Sequence, residues 1–304
     1  MALNKEIWLS TVVDNFFPAK SFVTKSIDDS AYCDGKRVHI PNAGKPSGVQ
    51  TNRSSLPASV KKRTDNDLVY EISEHTSDPV LLPDAEKVEL SYDKRNSLIV
   101  NDRAQLQEAA LQDIIYSWGG DIDTKRIVET SGANRNCHTS STATGTRKKL
   151  VRADIWKLMT AFNSENIPQE GRYLMLDAYM YSDLIEDMTE ADKFAFLNSA
   201  DAANGVLGKF ASFNIVDPRP VLRLKSSDKK VIKWGVTGEA TELAAGLAWQ
   251  DKCVSRALGE TKMFGSEEDP TYYGDIYSFL VRAGGSRRRY DGAGVALLVE
   301  TTGA

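Results

Sequence analysis

The sequence predicts an α+β fold in which one long helix packs against antiparallel strands. Apolar residues recur at helical spacing over about 84–118. Short segments of alternating apolar and polar residues occur near both ends of the chain, as in β-strands, and the stretch between them combines both patterns. A chain of 304 residues is long enough for one large or two modest domains with a buried core.

The composition is that of an ordinary globular protein, with 41% hydrophobic and 26% charged residues. No apolar run approaches the roughly 20 residues of a membrane span, and the N-terminus lacks the regions of a signal peptide. Cys33, Cys137 and Cys253 lie far apart and cannot all pair within the chain, which favours synthesis in a reducing cytosol. The net charge of −4 argues against a protein devoted to wrapping nucleic acid, because phosphate binding favours a basic surface.

The N-terminal segment predicts a short amphipathic helix followed by an extended arm. Leu3, Ile7, Trp8 and Val12 recur at helical spacing, and Pro18 ends the pattern.

A long projecting β-hairpin is predicted next. Alternating strands over 37–41 and 67–72 flank a stretch rich in turn residues and poor in apolar ones. A structureless loop of this length is uncommon inside a compact domain, so we expect the two strands to pair and carry the loop away from the body. Seven basic residues fall on this hairpin with no Asp or Glu among them: Lys36, Arg37, Lys45, Arg53, Lys61, Lys62 and Arg63.

The strongest helix pattern extends over about 84–118 and ends at Gly119 and Gly120. At 1.5 Å per residue such a helix is on the order of 45 Å long, well above the average for globular proteins. Its first turns are acidic, which suits the positive end of the helix dipole. The acidic residues are Asp84, Glu86, Glu89 and Asp93.

The remainder of the chain predicts a mixed region and then a sheet. A small-residue loop over 131–146 is expected to be exposed. The final segments 246–254, 277–283 and 295–299 are expected to form one antiparallel sheet that packs on the long helix. The other predicted strands are 122–128, 172–176 and 213–216, and the other predicted helices are 152–162, 178–185 and 191–203.

No constellation of residues predicts a reaction. His39, His75 and His138 are scattered, and none has metal-ligand spacing. The adjacent Cys137 and His138 are interpreted as a chance pair in a polar loop. The acidic run 267–269 beside a proline is interpreted as a solvated turn. The sequence therefore predicts no catalytic, cofactor or metal site, and a protein that is not an enzyme.

The C-terminal run of Arg287, Arg288 and Arg289 leaves two interpretations open. Three consecutive cations could bind phosphate. If the run instead lies on a strand, its side chains point alternately to opposite faces, and the arginines then belong to a half-exposed strand or an interface.

The order of these elements resembles the Hong Kong 97 fold of tailed-bacteriophage major capsid proteins. Short segments also resemble that family, and the likeness spans essentially the whole chain. The segments are 3–8, 38–44, 90–95, 162–173, 273–276 and 289–291. In the family's terms, the resemblance implies an N-arm at 1–34, an E-loop hairpin at 35–79, a P-domain with its spine helix at 80–145, an A-domain at 146–244 and P-domain return strands at 245–304.

The resemblance implies a structural protein that self-assembles as hexamers and pentamers into an icosahedral head shell around the phage genome. Its location would be the virion, after synthesis in the bacterial host cytoplasm, with no membrane partner and no cofactor. Implied partners are a portal protein, packaged DNA held non-specifically on the inner face, and a separate scaffolding protein, since the arm begins within a few residues of Met1. A decoration protein is a further partner that the resemblance allows.

A shell subunit needs arms that contact its neighbours. We therefore expect the basic hairpin of one subunit to lie over the acidic helix start of the next. The candidate inter-subunit contacts are the seven basic hairpin residues, the four acidic residues of the helix start and the three C-terminal arginines.

Two other functions remain open. A nucleic-acid-binding protein could use the basic hairpin 36–63 as an arm in a groove, and it would bind DNA in a salt-sensitive way. An enzyme could use the mixed region as its catalytic domain, but it would need a cleft with convergent titratable residues.

Overall fold

The computed structural model describes residues 21–42, 51–54, 57, 60, 66–83, 94–217, 222–289 and 291–303. These residues form four α-helices: α1 Lys94–Gly119, α2 Arg152–Ser164, α3 Ala178–Asp187 and α4 Glu190–Asn198. They also form eighteen strands, in sheets of five, eight, three and two. In chain order the strands are β1 Ile27–Asp28, β2 Cys33–Asp34, β3 Arg37–Asn42, β4 Asn66–Glu71, β5 Ser73–Thr76, β6 Val80–Pro83, β7 Ile127–Glu129, β8 Asn134–Asn136, β9 Thr146–Lys148, β10 Arg172–Met175, β11 Val206–Phe210, β12 Phe213–Val216, β13 Leu222–Leu224, β14 Val231–Ile232, β15 Leu243–Gln250, β16 Val254–Asp269, β17 Gly274–Arg287 and β18 Val295–Val299.

The five-stranded sheet is built on the long antiparallel hairpin of β16 and β17. Its order is β1-β16-β17-β5, and β6 pairs with the start of β17. The middle of α1 lies on this sheet, where Leu106 and Ala110 pack against Phe279 and Val281. The prediction of a long helix on antiparallel strands is therefore confirmed, and α1 ends within one residue of the predicted position.

The eight-stranded sheet is covered on both faces. Its order is β11-β12-β10-β15-β13-β14, with β18 on the other edge of β15 and β7 parallel to β18. Successive side chains of β18 point to opposite faces of the sheet. Val295 and Leu297 pack in the core with the end of α1, whereas Ala296 and Leu298 pack in the core with α2, α3 and α4. Because both faces are buried, all eight residues of β15 are buried, and the strand lacks the usual apolar–polar alternation.

The base of the predicted hairpin is confirmed. β3 and β4 pair antiparallel from Arg37 with Glu71 to Asn42 with Asn66, and β2 extends them into the three-stranded sheet. Most of the loop that joins β3 to β4 lies outside the described residues. So do the predicted N-terminal helix and the 84–93 part of the predicted long helix.

Several predicted elements were wrong. The segments 246–254, 277–283 and 295–299 do not share one sheet, because β17 pairs with β16 whereas β15 pairs with β18. In the predicted strand 122–128, only the last two residues belong to a strand, β7, and Thr124–Arg126 form a 3-10 turn. The Asp123 carboxylate caps this turn by accepting a hydrogen bond from the Lys125 backbone N–H at 3.1 Å. The helix predicted over 191–203 ends at Asn198. The strand β16, which extends through the acidic run 267–269, was not predicted.

Candidate interaction surfaces

The hairpin base carries two of the seven predicted basic contacts, and both form ion pairs within the chain. The Lys36 Nζ atom lies 3.2 Å from Glu74, and the Arg37 Nε atom lies 3.2 Å from Glu71. Hydrogen bonds from Lys36 and Arg282 lower the pKa of Glu74. Solvent-exposed pairs of this kind contribute about 0–1 kcal/mol each. The positive charge at the base of the hairpin is therefore locally balanced.

Most of the other predicted contacts lie outside the described residues. Arg53 is described and exposed. The remaining hairpin cations and the acidic helix start are not described, so their contact stays a prediction. These residues are Lys45, Lys61, Lys62, Arg63, Asp84, Glu86, Glu89 and Asp93.

The three C-terminal arginines differ in their surroundings. Arg287 ends β17 and donates a hydrogen bond from Nη1 to the Asp121 carbonyl oxygen at 3.3 Å, and burial lowers its pKa. Arg288 directs its Nη2 atom to within 3.7 Å of Asp29, a fully buried carboxylate whose pKa is raised by burial. Arg289 is exposed. The first two arginines thus contact their own chain, and Arg289 presents its charge to solvent.

A buried charge cluster is centred on Arg135, in the segment that the sequence predicted to be an exposed loop. The Arg135 Nε atom lies 3.0 Å from Asp183, and the same guanidinium pairs with Glu300. Its Nη1 atom lies 2.6 Å from the His138 Nδ1 atom, and the other ring nitrogen of His138 contacts Asp177. The side chains of these residues are at most 14% exposed. Burial raises the pKa of both Glu300 and Asp183.

This cluster corrects one sequence interpretation. The 131–146 segment is not a free loop, because β8 within it pairs with β9 and Arg135 pairs with Glu300, directly after β18. His138 belongs to the same cluster, and its ring packs on Tyr179 with 4.2 Å between ring centroids. Glu300 lies 165 residues from Arg135 and Asp177 lies 39 residues from His138, so no local pattern could have indicated these two pairings. Among the described residues, no group of three or more His, Cys, Asp or Glu is arranged to hold a metal ion.

The raised pKa of Glu300 predicts a pH-dependent contribution to stability. Its folded pKa exceeds its unfolded value, so the stabilising effect is complete below about pH 4.5 and is lost as pH rises through the folded pKa. Glu300→Gln mimics the protonated acid. We expect this variant to gain stability relative to the natural protein between pH 4.5 and pH 7.5, measured by urea unfolding at several pH values. A relative loss over that interval would show that attraction to Arg135 outweighs burial.

Exposed apolar side chains mark further surfaces that the sequence analysis did not single out. On α4, Phe194 and Leu197 lie one turn apart and are 71% and 66% exposed, while Phe196 between them is buried against β11. At the turn between β16 and β17, Tyr272 and Tyr273 are exposed as well. Contiguous exposed apolar groups are typical of contact surfaces. No helix in the described part of the chain is long and apolar enough to cross a membrane.

Comparison with known proteins identifies the fold. No family model and no curated protein matches the chain. Solved structures do match over nearly its whole length. The capsid of Ralstonia phage GP4 is 14% identical with a TM-score of 0.66, and the match covers 92% of this chain and 88% of that one. The chain has the Hong Kong 97 fold.

Two further structures support the assignment of the Hong Kong 97 fold. The capsid asymmetric unit of cyanophage Pam1 is 12% identical with a TM-score of 0.60, covering 90% of this chain and 87% of that one. The capsid of cyanophage P-SCSP1u is 16% identical with a TM-score of 0.58, covering 90% and 86%. The fold predicted from the order of the elements is therefore confirmed. At these identities the likeness concerns the path of the chain, and the contact residues have to be argued from this chain alone.

Proposed function

We propose that this chain is the major capsid protein of a tailed bacteriophage, a non-enzymatic subunit that assembles into the icosahedral head shell around the genome. The observation that carries the proposal is a match to phage capsid structures over 90% or more of the chain, with TM-scores of 0.58–0.66. The elongated shape of several elements agrees with it. The β3–β4 and β16–β17 hairpins and the outer face of α4 also carry exposed apolar side chains that could contact a neighbour, among them Val69, Phe264 and Phe194.

The proposed division of the chain follows the family. The N-arm would comprise 1–34 and the E-loop hairpin 35–79. The P-domain would comprise 80–145 and the return strands 245–304, and the A-domain 146–244. In support, α1 lies along the β16–β17 hairpin, and α2, α3 and α4 cover one face of the eight-stranded sheet. That sheet also contains β15 and β18, so the A-domain core extends into the return segment.

The proposed subunit contact places the basic hairpin of one copy over the acidic helix start of its neighbour. Because each exposed ion pair contributes only about 0–1 kcal/mol, such contacts are reversible singly and effective when repeated around a closed shell. Reversing the charge of Lys61, Lys62 and Arg63 to Glu should therefore leave the subunit folded and abolish shell formation. Circular dichroism measures the first outcome and electron microscopy the second.

A control for that variant changes the same charge on other surfaces. Lys209, Lys230 and Lys252 are exposed, and their replacement by Glu should leave assembly intact. Normal shells from the hairpin variant would refute the proposed contact. Equal loss in both variants would show that net charge, and not the hairpin, governs assembly.

Negative-stain electron microscopy of the purified protein, with and without a co-expressed scaffolding protein, tests the function itself. Closed shells or rings of capsomers are expected, built from hexamers and pentamers. The proposed further partners are a portal protein, a decoration protein and packaged DNA, and the proposed location is the virion after synthesis in the host cytoplasm. A uniformly monomeric or dimeric protein under both conditions would contradict the proposal.

A nucleic-acid-binding function is not favoured by a specific observation. Lys36 and Arg37 already pair with Glu74 and Glu71, which lowers the net positive charge that the hairpin base could offer to phosphates. Tight DNA binding by the unassembled protein, with a steep dependence on salt, would reverse this preference.

A further inference from the structure

The segment that contains β1, the hairpin base and the β16–β17 hairpin meet at one buried carboxylate, that of Asp29. Asp29 lies directly after β1, and its backbone N–H donates a hydrogen bond to the Arg256 carbonyl oxygen on β16 at 2.8 Å. Ser255 faces the carboxylate from β16, and its hydroxyl donates to the Tyr70 hydroxyl on β4 at 3.4 Å. Arg288 approaches from the end of β17. Asp29 thus lies where three parts of the chain that are distant in sequence come together.

The Asp29 carboxylate is enclosed, and its charge is poorly compensated. Its side chain is 1% exposed, and the Arg288 Nη2 atom is 3.7 Å away, beyond hydrogen-bond distance. Neither carboxylate oxygen has a hydrogen-bond partner among the residues that the structure describes. Arg256 is engaged elsewhere, because its guanidinium donates to the Ser26 carbonyl oxygen at 2.7 Å and to Asp28 at 3.2 Å. An ionised carboxylate is costly in such surroundings, so burial raises the pKa of Asp29.

Groups of both signs face Asp29 from the elements packed around it. Arg288 and Arg256 favour its ionised form, whereas Asp28 opposes that form. The Tyr70 hydroxyl is uncharged at neutral pH, because burial raises its pKa to about 12. Since the arginines stay charged and Tyr70 stays neutral, the proton on Asp29 sets the net charge of this junction between acidic and neutral pH.

The hairpin base packs on β16 through a small core of its own. This core is separate from the two large cores on either face of the eight-stranded sheet. Its buried side chains are Val38, Ile40, Ile72 and Ala257. Regions with few buried apolar contacts open locally at a lower free energy than the rest of a fold. One buried charge beside this small core is therefore enough to change how often the hairpin base opens.

We propose that Asp29 is a proton-controlled latch between the N-terminal arm and the hairpin base. With a proton on its carboxyl group, the junction stays closed on β16. When the proton leaves, the enclosed negative charge favours opening, in which 27–34 and β4 separate from β16 and the carboxylate reaches water. The proposal concerns the unassembled subunit and does not rest on shell formation, so its failure leaves the proposed function untouched.

The direction of the pH dependence follows from the raised pKa of Asp29. Because the closed junction raises this pKa above its ordinary value of 3.8, closure is fully favoured below about pH 3.8. The preference for closure is lost as pH rises through the raised value. Opening should therefore become more frequent from acidic to neutral pH.

Hydrogen–deuterium exchange of the full chain at pH 4.5 and pH 7.5 measures this opening. Mass spectrometry follows the peptides that cover 27–34 and 66–71, and the rates are corrected for intrinsic exchange. Both segments should open at least about fivefold more often at pH 7.5 than at pH 4.5. Opening that is equal at the two pH values, or greater at pH 4.5, would overturn the proposal without any variant.

Two neighbouring substitutions provide a matched control. Asp29→Asn keeps the shape of the neutral acid and cannot ionise, so both segments should open equally often at the two pH values. Asp28→Asn removes the adjacent carboxylate, which is 53% exposed. Partial burial would raise the pKa of Asp28, but hydrogen bonds from Ser30 hold it below its usual value, so this variant should keep the pH dependence. A pH dependence that persists in Asp29→Asn, or that disappears in Asp28→Asn, would contradict the latch.

Discussion

Replacing Arg135 with alanine is expected to lower the free energy of unfolding of the subunit by about 3–5 kcal/mol. Its guanidinium is the cation that Asp183 and Glu300 share, and the Glu300 side chain is completely buried. Removing Arg135 takes away a cation that both buried carboxylates contact in a region of low dielectric constant. Chemical denaturation of the unassembled subunit at pH 7.5 measures the loss.

The matched control for Arg135→Ala is Arg37→Ala. Arg37 also pairs with a glutamate, but the side chains of the pair are 62% and 72% exposed. Its removal should cost no more than about 1 kcal/mol. Because protonation removes the uncompensated charge, the loss in Arg135→Ala should become smaller at pH 5. Similar losses for the two variants, or a loss independent of pH, would contradict the structural role of the cluster.

Replacing Trp118 with alanine is expected to lower the free energy of unfolding by about 3–5 kcal/mol as well. Trp118 is fully buried near the end of α1, with its ring centroid 5.6 Å from that of Trp249. Its Nε1–H donates a hydrogen bond to the Ser255 carbonyl oxygen at 2.9 Å. Gly285 permits this approach, because a Cβ atom there would lie 2.8 Å from the indole nitrogen. Trp118 thus joins α1 to both sheets.

Two variants separate the contributions of Trp118. Trp156→Ala removes the same side chain from α2, where it is 48% exposed, and should cost about 1 kcal/mol. Trp118→Phe keeps an aromatic ring but removes the hydrogen bond, and its loss should lie between those of the two alanine variants. Urea unfolding followed by circular dichroism measures all three. Equal losses for Trp118→Ala and Trp156→Ala would show that the α1 contact does not hold the two sheets together.

Local patterns predicted the elements that have one buried face. β3 and β4 were found because their residues alternate, and α1 was found because apolar residues recur along one side of it. The elements β12 and β18 were predicted with their observed bounds, since each is a short apolar segment between turns. β16 escaped prediction because its outer half is mostly exposed and polar, so its stability comes from pairing with β17.

The candidate contact surfaces were also only partly predictable from the sequence. Charge runs such as the three C-terminal arginines can be located in a sequence, but the residues they face cannot. The sequence carried no sign that Arg288 approaches the buried Asp29, or that Arg135 and His138 lie inside the fold. Each of these pairings joins segments that are distant along the chain.

The sequence by itself determined the order of the elements, and that order was sufficient to predict the Hong Kong 97 fold. Apolar periodicity specifies which face of a strand or helix is buried, and turn residues specify where it ends. Only the tertiary structure decided that β15 and β18 share a sheet while β17 belongs to another. It also decided that Arg135 meets Glu300, 165 residues away. The reason is physical: periodicity carries no information about which buried face meets which, and that choice depends on packing and charge pairing across the whole chain.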